Sequence, residues 1–292
     1  MTQAGYVFYG MLSAMRITLA GVSVSLLLMV GVAEAQKPLG VFDPGANPPA
    51  WASFGTISDT VSDDRLREAA AISRSRVFWW VLQLGYHEHP ATPIAPHTER
   101  VKARLTAAGL LPYVVAFSVG EEWYEQWLHG SFERFGLTPE NPAGMPIIRD
   151  WLGRQHLAAK SVLGLPVLWI TTIAGHPSGT FRPVPPNTDF VAIDAYIPKG
   201  GTFDLNVAPI FAYAEQSVAG TGMRLVQIPP WFEADGWEAP TALDLKKYAI
   251  WAARPLWFAV LGFTWQDRPH LAMRGLESLS VMRATVTALR GQ

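Results

Sequence analysis

Residues 111–123 read LPYVVAFSVGEEW: an uncharged, β-rich run, then a glycine, two adjacent acids and a tryptophan. A run this apolar, with no alternation of polar and apolar positions, suits a strand buried on both faces, as in a parallel sheet covered by helices. Six other runs have the same character: Leu39–Phe42, Val77–Leu84, Val167–Ile173, Phe190–Ile193, Arg224–Ile228 and Phe258–Thr264. Amphipathic segments separate them. Ser62-Asp63-Asp64 offers a cap and first-turn acids to a helix through Leu66, Ala69 and Ala70. Val101, Leu105 and Ala108 share one helical face, with Gly109 at the stop, and Ile148, Trp151, Leu152, Gln155 and Ala159 repeat the spacing up to Gly164. Segments 207–218, 243–253 and 276–289 complete the series. Strand–helix alternation on this scale predicts an α/β domain with a parallel sheet.

The N-terminus stands outside that pattern. Arg16 precedes an apolar run, Ile17–Val32, and Ala33-Glu34-Ala35 supplies a small-x-small cleavage site. The expectation is a signal peptide over residues 1–35, with a start near Met15, and a secreted or periplasmic product without stable membrane insertion after cleavage. A retained anchor is the alternative, since the run nearly spans a bilayer. Its removal leaves residues 36–292, close to the ~250 of a TIM barrel, so a single (β/α)8 TIM-barrel domain is expected. Seven runs are visible rather than eight, which keeps an open doubly wound sheet in view. No G-x-G-x-x-G follows the first run and no P-loop occurs, so a nucleotide-binding version of that sheet lacks support.

Composition narrows the chemistry. Lys plus Arg number 23 against 24 Asp plus Glu, a formal net charge of -1, so no nucleic acid partner is expected. Cysteine is absent, which excludes thiol catalysis, disulfides, thiolate-bound metal and lipid attachment through an N-terminal cysteine. No G-x-S-x-G elbow is present either. In a parallel barrel the residues after each strand line one mouth, where the active site sits. Those positions carry Asp43; Tyr86-His87-Glu88-His89; Glu121, Glu122, Trp123 and Tyr124; His176; Asp194 and Tyr196; Gln227, Trp231 and Glu233; and Trp265, Gln266 and Asp267. Carboxylates able to do acid/base work beside aromatic rings able to stack on sugar faces suit a carbohydrate substrate. A Glu desolvated by Trp123 and Tyr124 would have a raised pKa, as a general acid needs; the competing account is that EEWYEQWL begins a helix. Trp79, Trp80, Trp169, Trp251 and Trp257 fall inside apolar runs and are expected in the core. Trp123, Trp231, Trp237 and Trp265 lie beyond strands and are the stacking candidates.

Strand-Gly-Glu-Glu-Trp resembles the acid/base motif of the retaining TIM-barrel glycoside hydrolase clan that includes cellulases and β-galactosidases. The resemblance covers most of residues 39–270 in layout, on short motifs. It implies an acid/base Glu after strand four, a nucleophile Glu after strand seven and a Trp after strand eight. Counting back from the C-terminus, Phe258–Thr264 becomes strand eight with Trp265, Arg224–Ile228 strand seven with Glu233 downstream, and Leu111–Val119 strand four with Glu122. The missing strand then lies in the N-terminal half. Glu121 stands where the clan usually has Asn, and Gln227 lies nearer the strand end than Glu233, which follows Pro229-Pro230. The expected activity is hydrolysis of glycosidic bonds without a cofactor, with Glu122 as acid/base and Glu233 or Asp194 as its partner. Asp43, Glu121, Trp123, Tyr196, Gln227, Trp231, Trp265 and Gln266 would bind substrate. Two alternatives stay open. One is a carbohydrate-binding barrel without catalysis. The other is an amidohydrolase-like metal-dependent hydrolase using His87, His89, His176 and Asp267.

Overall fold

The computed structural model describes residues 37–85, 93–120, 133, 138, 144–172, 184–269 and 272–290, all within the compact unit Gln36–Gln292. Eight parallel strands follow one another around a nearly closed barrel: β1 (Leu39–Val41), β2 (Phe54–Ser58), β3 (Trp79–Leu84), β4 (Val114–Val119), β5 (Leu168–Thr172), β6 (Phe190–Asp194), β7 (Arg224–Ile228) and β9 (Trp257–Gly262). The remaining pair, β8 (Phe232–Glu233) and β10 (Arg274–Gly275), forms a small antiparallel hairpin outside the barrel. β1 pairs with β9, and at the opposite side the Phe117 N–H donates to the Pro166 carbonyl at 3.0 Å beside a Phe117–Val167 parallel bridge. This is a (β/α)8 TIM barrel.

The strand missing from the sequence pattern is β2, the short FGTIS, and it does lie in the N-terminal half. No helix separates it from β1; the chain crosses through residues 42–53 instead. With β2 in place, the sequence count holds: Val114–Val119 is barrel strand four, Arg224–Ile228 seven and Trp257–Gly262 eight. The start of the expected fourth strand, Leu111–Tyr113, is a 3-10 turn, because Pro112 withholds a donor.

The helices are α1 (Asp63–Ser75), α2 (Ala95–Ala107), α3 (Gly144–Leu163), α4 (Phe203–Asn206), α5 (Ala208–Val218), α6 (Ala242–Ala252) and α7 (Ser280–Arg290). Ser62 caps α1 by accepting the Arg65 N–H, and Thr241 and Asp244 form a reciprocal capping box on α6. Among the described residues no helix is long and apolar enough to cross a membrane.

The core has two layers, and strand parity assigns side chains to them. Phe42, Phe54, Val81, Ala116, Leu168, Ile170, Ala192, Val226, Ile228, Ala259 and Leu261 form a cluster supplied by every strand or strand end and by no helix. That cluster fills the barrel interior, so the lumen is packed rather than hollow. The alternating residues, such as Trp80, Leu82, Phe117, Trp169, Val191 and Leu225, meet the helices in the outer layer. Phe54 shows how tightly the interior is fitted: a Cβ added to Gly40 would lie 2.5 Å from its ring.

Candidate active site

Above the apolar layers, the register places Ser58, Gln83 and Ser118 side by side on β2, β3 and β4. It likewise aligns Thr172, Asp194 and Ile228 on β5, β6 and β7. Each lies two residues beyond a lumen-facing position of its strand, or four beyond on β2, so parity turns this level inward. The lumen therefore ends in a polar tier at the C-terminal mouth, on a hydrophobic floor. Ser118 is fully buried and its Oγ has no hydrogen-bond partner, an inward-facing polar atom beneath the mouth.

Asp194 is the carboxylate of this tier. It closes β6, is 8% exposed, and follows Ala192 of the barrel interior. Its backbone is braced from behind. The Tyr248 hydroxyl donates to the Ala195 carbonyl at 2.7 Å, and the Gln227 amide donates to the Tyr248 carbonyl at 3.1 Å. Burial, with the Asp194 and Asp244 charges, holds the Tyr248 phenol well above its usual pKa, so it stays protonated and keeps donating. Gln227 thus faces the outer layer, between inward-facing Val226 and Ile228, and does not reach the mouth.

Beyond Asp194 the aromatic side chains gather. The Tyr196 ring stacks on Phe263 (centroids 6.2 Å apart, planes 26°) and meets Phe232 and Trp237 edge-on at 4.9 and 5.3 Å. Phe42 also meets Phe263 edge-on, with centroids 5.1 Å apart. Arg268 lies over Phe263, its guanidinium carbon 4.9 Å from the ring centroid, with Nη2 3.3 Å from the Asp43 carboxylate. Asp43 itself is held by donating its N–H to the Thr56 hydroxyl at 2.9 Å. Gln266 is half-buried against Gly45, whose added Cβ would overlap its amide.

Trp231 and Trp265 are placed differently. They are 3% and 6% exposed, belong to the outer layer, and pack edge-on against Trp51 at 5.7 and 6.2 Å. Trp231 lies on Gly262, and Trp265 borders a shallow groove of about 650 Å³ against α7 rather than the lumen. Of the stacking candidates described, only Trp237 is part-exposed and next to Tyr196. Glu233 sits on the β8–β10 hairpin, more than half exposed and paired with Arg274 at 2.9 Å.

The loops after β6, β7 and β9 are knitted together over this half of the mouth. Pro198 bridges to Trp237, the Lys199 N–H donates to Gly236, and the Glu238 N–H donates to Ile197. The hairpin then ties the loop after β7 to that after β9, where Asp267 accepts the Gly275 N–H and the Ser278 hydroxyl. Asp267 is a loop brace.

Glu121, Glu122, Trp123 and Tyr124 lie outside the described residues, as do the 86–89 segment and His176. Among the described residues no group of three or more His, Asp or Glu side chains could hold a metal ion. The sequence pattern passed over Gln83, Ser118 and Arg268; strand parity would have flagged the first two, and position shortly after strand eight the third. It also passed over Asp59, because β2 went unrecognised. Asp59 is buried, accepts the Gly85 N–H at 3.0 Å and pairs with His97 at 2.6 Å, fastening the ends of β2 and β3 to α2.

No family model and no curated protein matches the chain. Solved structures do. A candidate alpha-L-fucosidase of Bacteroides thetaiotaomicron superposes with a TM-score of 0.51 at 12% identity, over 93% of this chain and 99% of that one. A calcium-binding mutant of Bacteroides uniformis beta-glucuronidase 2 gives 0.51 at 11% identity, over 78% of this chain and 30% of that one. At these identities the likeness shows the fold.

Proposed function

We propose that the protein is an exported glycoside hydrolase acting at the C-terminal mouth of its barrel, with Glu122 as general acid/base and Asp194 as the second carboxylate. The observation that carries this reading is Asp194: a buried, inward-facing acid at the end of strand six, beside a stacked Tyr196–Phe263 pair. Carboxylate and ring faces together are what cleavage of a sugar acetal requires. The glycosidase names carried by the two superposed structures agree with it. Asp194 is preferred over Glu233, which is exposed on the hairpin and already paired with Arg274. In the reaction Glu122 protonates the leaving oxygen, and Asp194 either attacks the anomeric carbon or activates a water. Their separation sets the choice: ~5–5.5 Å for retention and ~6.5–9.5 Å for inversion.

The test is a glycan screen with wild type, Glu122→Gln, Asp194→Asn and Glu233→Gln. The first two variants should lose at least about a thousandfold in kcat while still binding ligand, and Glu233→Gln should stay within about threefold of wild type. The first-formed anomer, followed by NMR, then reports which role Asp194 plays. A second reading has its own support. The inward positions at the end of strand seven are Ile228 and Pro230, without a carboxylate, as in a sugar-binding barrel that has no catalysis. Ligand binding without turnover on any glycan class would select that reading.

A further inference from the structure

Arg268 is a cation at the mouth whose own fold leaves it incompletely satisfied. Its guanidinium lies over Phe263, which removes water from one face. Its described hydrogen bond is a single long contact, Nη2 to Asp43 at 3.3 Å, with a carboxylate that is itself about half exposed. Nε is buried and meets no acceptor. A guanidinium offers five donors in a planar fork, and a desolvated one gains most from a bidentate oxyanion. Of the other described cations on this rim, Arg274 is committed to Glu233 and the Ser278 carbonyl, and Lys199 stands exposed on the loop after β6.

The placement matters as much as the unfilled donors. Phe263 touches both the Tyr196 ring and the Arg268 guanidinium, so the aromatic cluster that follows Asp194 on its strand end extends to the guanidinium. A pyranose seated against the part-exposed rings of that cluster, with its anomeric carbon toward Asp194, would direct an exocyclic group at Arg268. We propose that Arg268 is a specificity-determining residue that binds the carboxylate of a uronic acid unit, making acidic glycans the substrate class. This rests on the carbohydrate reading of the mouth, but it does not require that the mouth be catalytic.

Binding is therefore measured separately from turnover. The full chain carrying Glu122→Gln is titrated calorimetrically with oligogalacturonate, oligoglucuronate and oligomannuronate, with their carboxyl-reduced counterparts, and with sulfated neutral oligosaccharides. At least one uronate series should bind about tenfold or more tighter than its reduced form, as a charge-assisted bidentate contact implies. Arg268→Gln should erase that preference, and Arg268→Lys should restore part of it as a point charge without the fork. Thermal melting of each variant checks that folding is unchanged. Equal binding of acidic and reduced forms, binding to none of the uronates, a preference for sulfate, or a uronate preference that survives Arg268→Gln would each overturn the proposal. Turnover of neutral glycans alone would overturn it while sparing the hydrolase; uronate binding without turnover would do the reverse.

Discussion

His156 is fully buried on α3, with Nδ1 3.3 Å from the Thr188 hydroxyl and Nε2 without a partner. Burial pushes its pKa down to about 4 from the ordinary 6.5. Between those values the unfolded chain holds a proton that the folded protein refuses, so the contribution is complete above pH 6.5 and drains away as pH falls toward 4. It amounts to about 3 kcal/mol. Urea unfolding of His156→Gln should show a smaller loss of stability between pH 7 and pH 4 than wild type does, by about that amount; parallel curves would refute it. Which residues are visible from sequence alone follows from what a single position reveals. Asp194 and Tyr196 stand out because an acid and an aromatic directly follow an apolar run. The direction of Gln227 does not, since it depends on which neighbours of one strand fill the lumen, and that is settled only when Val226 and Ile228 pack.

At the scale of elements, the barrel relies on glycines that let neighbouring rings reach the strands. A Cβ on Gly262 would come within 1.8 Å of the Trp231 indole, which is itself wedged against Trp51. Gly262→Ala must therefore displace a buried indole or bend β9, at a cost of about 1–3 kcal/mol by overpacking. Differential scanning calorimetry should show a clear drop in Tm, and an unchanged melt would mean that Trp231 moves freely. Most of the elements were legible before the fold was known, because two-sided burial writes long apolar runs and helix termini carry their own caps. β2 was hidden for a physical reason. It is five residues long with a glycine inside, and a loop rather than a helix joins it to β1, so neither run length nor alternation marks it. Its absence from the pattern also concealed Ser58 and Asp59.

For the molecule as a whole, two seams of the barrel are thin: β1–β2, with two paired residues, and β4–β5. At β4–β5 the described link is the Phe117 bridge and its bond to Pro166, while β2–β3, β3–β4, β5–β6 and β6–β7 share ladders of five paired residues each. Opening should start at these two seams. Native-state hydrogen exchange is expected to release the Phe117 amide at lower free energy than the Val226 amide between β6 and β9, and the reverse order would contradict it. The barrel was readable as a whole from alternation and length, whereas the mouth was readable only as a list of strand-end residues. Composition identifies which groups are present there but not how the loops join.

That joining has a consequence for change over time. Because the loops after β6, β7 and β9 are stitched to one another through Pro198–Trp237 and the Glu233–Arg274 hairpin, they behave as one inheritable block. A new specificity on this side of the barrel cannot be acquired by exchanging a single loop. Transplanting one of the three from another barrel strands its cross-links, so successful chimaeras should be those that carry all three together.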